Sequence, residues 1–149
     1  MPTARRLSDT SRTIPQADIE TLRVIYGAVS RGDWDAAAVH VHPDFEWVTS
    51  SRVPLAGTYR TPAEVQRFFD EEWEAFDEVT VEPEEFFERG DQIVVFARTR
   101  FHPAGSTAAV ENRTGHLWTM RDGVAVRCEV FAHREHALEA AGLRGPGPQ

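Results

Sequence analysis

The chain has 149 residues, of which 41% are hydrophobic and 27% are charged, a composition typical of a single globular domain. Its formal net charge of −8 argues against nucleic acid and membranes as partners, because both attract clustered Lys and Arg. The single cysteine excludes an intrachain disulfide, and no segment resembles a signal peptide or reaches the ~20 apolar residues of a membrane span. We therefore expect a soluble, cytoplasmic protein.

The first part of the chain predicts two helices and a strand. Apolar residues at helical spacing indicate a helix from about Pro15 to Ser30, with Thr13 as its cap. Asp33 can cap a second, short helix that runs to about Val39. A first strand then follows over residues 45–49.

A third helix is predicted to begin at Thr61. The Thr-Pro-Ala-Glu sequence there supplies a cap, a proline at the first helical position and a glutamate at the third. The apolar spacing extends this helix through Trp73 and Phe76, and the preceding residues 50–60 have the composition of a loop.

From Val79 onward the alternation indicates four antiparallel strands and a terminal helix. The breaks fall at residues 89–91, 103–106 and 122–123, and Gly142 stops the helix. Helices segregated against an antiparallel sheet define the α+β class. We expect a curved antiparallel sheet packed against three helices, with a short C-terminal helix.

The domain boundaries follow from where this patterning begins and ends. Residues 14–143 form the predicted domain, whereas residues 1–13 and 144–149 lack periodicity. Such terminal segments are commonly poorly ordered. We therefore predict that both ends are flexible.

The last two strands contain the best local signal in the chain. Asp122-Gly123 between alternating runs predicts a hairpin with a two-residue type I′ turn. A continuous ladder from that turn pairs Trp118 with Arg127 and His116 with Glu129. One face then carries His116, Trp118, Arg127, Glu129 and Phe131, and the other carries Leu117, Thr119, Val126, Cys128 and Val130.

The order of elements resembles a known family. With GDW after the first helix, HPDFEW on the first strand and WTMRDG…HALEAAGL at the end, the chain resembles the SnoaL-like, ketosteroid isomerase-like branch of the nuclear transport factor 2-like superfamily over about residues 15–143. The resemblance implies a cone-shaped fold, a pocket on the concave sheet face and often a dimer through the convex face. It implies little about function, because the superfamily includes several kinds of enzyme and non-catalytic binding proteins.

The resemblance also locates the usual catalytic acids of the family. The acids of ketosteroid isomerase correspond to Trp47 and to a position at or near Gly115, and the aspartate of the cyclases corresponds to Val130. A catalytic tyrosine corresponds to the residue before Tyr26. The usual catalytic acids are therefore absent at Trp47, Gly115 and Val130.

The same alignment assigns the Leu117 face to the pocket and the His116 face to a dimer interface. The predicted pocket lining is Tyr26, Trp47, Tyr59, Phe69, Trp73, Phe76, Leu117, Thr119, Cys128 and Val130. The predicted dimer face is His116, Trp118, Arg127, Glu129 and Phe131. The weak catalytic candidates are Glu111 and Arg113, in phase with Leu117, and the pair His116 and Glu129.

Each candidate has a purely structural alternative. His116 and Glu129 can be an ordinary cross-strand pair, which stabilises a sheet by roughly 0.2–1 kcal/mol. Glu111 and Arg113 can be rim charges paired with each other, and aromatic residues at helical spacing are usually core.

We hypothesise a homodimeric protein with an apolar pocket for a small hydrophobic molecule, without cofactor or metal. If it is an enzyme, we expect acid–base chemistry of the isomerase or cyclase type on a hydrophobic carbonyl or polyketide-like compound. Two alternatives stay open: a non-catalytic binding or dimerisation module, and a hydrolase or dehydratase of the same fold.

Overall fold

The computed structural model describes residues 10–49, 57–72, 74 and 76–143. Four helices and six strands lie within these ranges: α1 Thr10–Ser30, α2 Trp34–Ala38, β1 Val41–Thr49, β2 Gly57–Arg60, α3 Thr61–Glu72, β3 Phe76–Arg89, β4 Gln92–Pro103, β5 Val110–Arg121, β6 Val124–Phe131 and α4 Arg134–Ala140. The predicted α+β class is confirmed. No helix in the described ranges is both long and apolar enough to cross a membrane.

The strands form one curved, mostly antiparallel sheet in the order β2-β1-β6-β5-β4-β3. Only β1 and β6 pair in parallel among the strand pairs of the described residues. Helices α1, α2 and α3 contribute Leu22, Ala37 and Phe68 to the main apolar core on one face of the sheet. Helix α4 packs on the opposite face, where Leu138 lies in a second, smaller cluster with Val94.

The predicted helix starts at Asp33 and Thr61 are confirmed. The carboxylate of Asp33 accepts a hydrogen bond from the backbone N–H of Ala36 at 3.2 Å, which caps α2. The hydroxyl of Thr61 accepts from the N–H of Glu64 at 3.3 Å, and the Glu64 carboxylate accepts from the N–H of Arg60 at 2.8 Å. The first of these bonds satisfies a donor that the first helical turn leaves unpaired, and the second joins the end of β2 to the start of α3.

Four element boundaries differ from the prediction, one of them the start of β1 at Val41 in place of residue 45. Helix α1 begins at Thr10, so that Thr13 lies inside the helix and does not cap it. Helix α3 ends at Glu72, and Phe76 pairs with Pro103 as part of β3, because the ladder with β4 continues to that point. Residues 57–60, predicted as loop, pair with β1 as the edge strand β2.

The Asp122-Gly123 turn is as predicted. Asp122 and Gly123 have φ angles of 54° and 84°, as the two central residues of a type I′ turn require. Arg121 pairs with Val124 across the turn. The hairpin therefore begins in the expected register.

The register beyond the turn was predicted wrongly, because β6 contains a bulge. Met120 pairs with Ala125, whereas the preceding Thr119 pairs with Arg127. Val126 is thus an extra residue on β6 with no partner on β5. All pairs beyond it are displaced by one residue, which exchanges the two faces of β6 relative to β5.

Candidate functional site

The displaced register turns His116 and Trp118 towards the concave face. His116 pairs with Val130 and Trp118 pairs with Cys128, and both side chains are buried, at 6% and 3% exposure. Their prediction as dimer-face residues is therefore wrong. The pocket prediction for Leu117 is also wrong, because its side chain packs in the α4 cluster on the other face.

Four buried or half-buried side chains form a continuous chain of hydrogen bonds. The indole N–H of Trp118 donates to the hydroxyl oxygen of Tyr26 at 2.9 Å. The same hydroxyl lies 2.5 Å from Nδ1 of His116, and Nε2 of His116 lies 3.0 Å from the hydroxyl oxygen of Thr114. Helix α1 supplies the tyrosine, and alternate positions of β5 supply the other three, because successive strand residues alternate between faces.

Burial keeps the central pair uncharged. Desolvation raises the pKa of Tyr26 well above its ordinary value. Desolvation, with a smaller contribution from the positive charge of Arg134, lowers the pKa of His116 from 6.5 to about 4. At neutral pH the phenol and the imidazole are therefore both neutral.

The four hydrogen-bonded side chains form part of the wall of a cavity of about 220 Å³. Its remaining lining is mainly aliphatic and aromatic, with threonine and asparagine as polar groups. No lining residue among the described ones carries a charge at neutral pH. The lining is Ile25, Tyr26, Val29, Trp47, Thr49, Phe68, Phe69, Val81, Thr99, Phe101, Asn112, Thr114, His116, Trp118 and Val130.

A second cavity of about 250 Å³ adjoins the first. It lies among α1, α2, α3 and β1 and has Trp34, Phe45 and Val65 in its wall. The two cavities share Trp47 and Phe69, whose rings meet edge to face with their centroids 4.9 Å apart. The indole N–H of Trp47 is buried and finds no acceptor among the described residues.

Several predicted lining residues border this space, and others do not. Tyr26, Trp47, Phe69 and Val130 line the cavity of the hydrogen-bonded chain. Cys128 lies in the core on the same face, where burial raises the pKa of its thiol well above the ordinary value. Tyr59 packs on Phe68, with ring centroids 4.4 Å apart.

The remaining predicted lining residues are placed elsewhere. Thr119 borders a groove on the outer surface, beside Arg127. Phe76 belongs to β3. Trp73 lies outside the described residues.

Of the four catalytic candidates, only His116 lines the cavity. Glu111 accepts from Arg100 at 2.7 Å, which lowers the pKa of its carboxyl. Glu129 accepts from Arg127 at 3.3 Å. Both carboxylates, and Arg113 in phase with Glu111, belong to the outer face of the sheet. Their partners differ from the structural alternatives as well, because Glu111 pairs with Arg100 and not Arg113, and Glu129 pairs with Arg127 and not His116.

Two features of the site were missed by sequence reasoning. The first is the contact between Tyr26 and His116, which lie 90 positions apart and which no local pattern connects. The second is Thr114, which accompanies His116 and Trp118 at alternate positions. Because side chains on a strand alternate between faces, the inward position of His116 would have been enough to place Thr114 on the same face.

A curved sheet that closes an apolar cavity against three helices defines an α+β domain of nuclear transport factor 2-like architecture. The SnoaL-like domain family matches residues 22–128, and the chain belongs to this family. No curated protein matches the chain in sequence. Within the described residues, no three His, Cys, Asp or Glu side chains group as metal ligands would.

Solved structures agree with this assignment. TerC, co-crystallised with polyporic acid, is 27% identical, with 85% of this chain and 98% of that chain covered and a TM-score of 0.70. An NTF2-like protein of unknown function from Burkholderia pseudomallei K96243 is 25% identical, with 83% and 95% covered and a TM-score of 0.69. A candidate SnoaL-like polyketide cyclase from Jannaschia sp. CCS1, 19% identical with 97% and 100% covered, has the same fold with a TM-score of 0.68.

Proposed function

We propose that this SnoaL-like domain binds a small, mostly apolar organic molecule in the cavity between α1 and the sheet. The observation that carries this proposal is the buried, neutral chain of Tyr26, His116 and Thr114 in an otherwise apolar wall. Buried polar groups are costly unless they are paired, and an apolar cavity with a few convergent polar groups is the usual form of a ligand site. The similarity to TerC, which was co-crystallised with polyporic acid, adds support.

The division of the interior into two cavities bears on the size of the ligand. Each cavity, at about 220 and 250 Å³, is smaller than the ~300–1,000 Å³ of pockets for drug-sized ligands. Phe69 lines both cavities and comes from α3, and its ring is only half-buried. A ligand larger than one cavity would displace Phe69 and occupy both.

Binding is tested by titrating the protein with polyporic acid and measuring tryptophan fluorescence and heat. We expect saturable binding that Val29→Phe weakens at least tenfold, about 1.4 kcal/mol, because Val29 lines both cavities. The matched control is Val24→Phe on the same helix, since Val24 is 48% exposed and should tolerate the larger side chain. Equal effects of the two variants, or no saturable binding, would count against the proposal.

We propose as the second candidate that the domain is an enzyme of the isomerase or cyclase type. The supporting observation is that a neutral imidazole, His116, lines the cavity. To accept a proton from a bound carbon acid, its Nδ1 must first release the hydroxyl of Tyr26, with which it is hydrogen-bonded. The test is deuterium exchange of the methyl protons of 2-acetylnaphthalene, followed by NMR. Catalysis would be supported if the wild type accelerates the exchange and the His116→Gln variant does not. Equal exchange rates with the two proteins would favour the non-catalytic binding module.

We propose that the protein forms a homodimer. Of the predicted interface residues, Arg127 and Glu129 are half-buried on the outer face, where they pair with each other. Phe131 packs against the α4 cluster within its own chain. Light scattering should give twice the mass of one chain, and Glu129→Arg should lower that value if the outer face forms the interface.

A further inference from the structure

The hydrogen-bonded chain has a direction, which its first member sets. An indole N–H can only donate, so Trp118 donates to the oxygen of Tyr26. The hydroxyl hydrogen of Tyr26 then needs an acceptor, and Nδ1 of His116 lies 2.5 Å away. A neutral imidazole has one N–H, so the hydrogen of His116 is on Nε2 and is donated to the oxygen of Thr114.

The opposite direction would leave a buried donor unpaired. If Nδ1 of His116 carried the hydrogen, the Tyr26 oxygen would receive two donors. The hydroxyl hydrogen of Tyr26 would then have no acceptor among the described residues, in a side chain only 4% exposed. A buried donor without a partner costs the full desolvation of that group. The direction from Trp118 to Thr114 is therefore favoured.

The hydrogen-bonded chain ends on the hydroxyl hydrogen of Thr114, for which the described residues supply no acceptor. Thr114 uses its oxygen to accept from His116, and it is one of the residues that line the cavity. Trp47 lines the same cavity, and its buried indole N–H also lacks an acceptor among the described residues. The cavity has no carboxylate in its described lining to receive a cation or a donor. Thr49, Thr99 and Asn112 in the lining can accept as well as donate, whereas the hydroxyl hydrogen of Thr114 is a donor that the hydrogen-bonded chain leaves for a ligand.

We propose that the cavity selects a ligand with a carbonyl-type acceptor oxygen, which accepts a hydrogen bond from the hydroxyl group of Thr114. This inference rests on the proposed binding function and names the chemistry that the site recognises. Thr114 is the specificity-determining residue, and Trp118, Tyr26 and His116 position its hydrogen. Polarisation along a chain of hydrogen bonds strengthens the last donor.

The test compares two ligands of nearly the same shape, 2-acetylnaphthalene and 2-isopropenylnaphthalene. The second ligand has a C=CH₂ group where the first has its carbonyl group. The ketone should bind the wild type roughly twofold to tenfold more tightly, as one neutral hydrogen bond would give. Thr114→Val, which removes the hydroxyl at constant shape, should abolish this preference. The matched control Thr119→Val, on the outer face of the same strand, should retain it.

The outcomes separate this inference from the binding function. If both naphthalenes bind equally well, or if Thr114→Val retains the preference, the inference is wrong and the binding function stands. If neither binds, the binding function fails at this cavity and the inference fails with it. The ring ¹⁵N spectrum of His116 is an independent check without ligand: the hydrogen should be on Nε2 at pH 7, and the other tautomer would overturn the direction of the chain.

Discussion

The lowered pKa of His116 predicts that this one residue makes the protein less stable in acid. In the unfolded chain the imidazole takes up a proton at a pKa near 6.5, whereas in the folded protein its pKa is about 4. Between these values the unfolded state binds more protons than the folded state, so the free energy of unfolding falls as the pH falls. Below pH 4 both states are protonated and the contribution is constant.

The size of the effect follows from the two pKa values. One pKa unit corresponds to about 1.36 kcal/mol, so the stability lost through His116 is about 1.4 kcal/mol at pH 5.5 and about 3 kcal/mol at pH 4. Above pH 7 the contribution vanishes, because both states are neutral there. A loss of this size is a large part of the ~5–15 kcal/mol that holds most domains folded.

The assay is urea unfolding of the wild type and His116→Gln at pH 7, 5.5 and 4. Glutamine can accept from Tyr26 and donate to Thr114 but does not titrate. Carboxylates elsewhere affect both proteins alike and cancel in the difference between them. We expect the advantage of the wild type over the variant to shrink by about 3 kcal/mol between pH 7 and pH 4. A difference that stays constant with pH would refute the lowered pKa.

Three further substitutions test how the helices are attached to the sheet. Gly115→Ala should destabilise the protein by about 1–3 kcal/mol, because its Cβ would lie 2.8 Å from the Cβ of Ala137 on α4; a neutral result in urea unfolding would contradict the close approach. Gly27→Ala, whose new Cβ meets nothing nearer than 3.5 Å, should instead stabilise α1 by about 0.5–1 kcal/mol. Ser30→Ala should lower the free energy of unfolding by about 1–3 kcal/mol. The Ser30 hydroxyl accepts from the backbone N–H of Val81 at 2.8 Å and donates to the Val81 carbonyl at 3.1 Å. The rate of hydrogen exchange at the Val81 amide should therefore rise in this variant.

Features of the fold with a local cause could be predicted from the sequence. The cap at Asp33, the helix start at Thr61 and the turn at Asp122-Gly123 each depend on a few neighbouring residues, and the structure contains all three. The end of α3 could not be predicted in the same way. Phe76 fits the apolar spacing of a helix, but the long ladder between β3 and β4 takes it into the sheet, and tertiary pairing overrides local spacing.

The site was predicted less well than the fold, for a physical reason. A period of two makes the face of every strand residue depend on a correct register, so one extra residue reverses all assignments beyond it. Val126 is followed and preceded by residues that suit a regular strand, and nothing in its own side chain marks a bulge. The sheet face on which the side chain of His116 lies therefore depends on how β6 pairs with its neighbouring strands. The sequence of the hairpin alone does not determine that pairing.

The bulge decides the chemistry of the site as well as its location. In the unbulged register Glu129 would lie opposite His116 and form a charged pair with it, whereas the bulge places Val130 there. An imidazole beside a carboxylate would keep its proton more readily, but an imidazole among Val130, Tyr26 and Trp118 becomes neutral and joins a chain of neutral donors. The unbulged strand would also turn Arg127 towards the core, where an unpaired charge is costly. The same extra residue thus keeps the charges outside and leaves the cavity with the neutral donors from which its ligand preference is inferred.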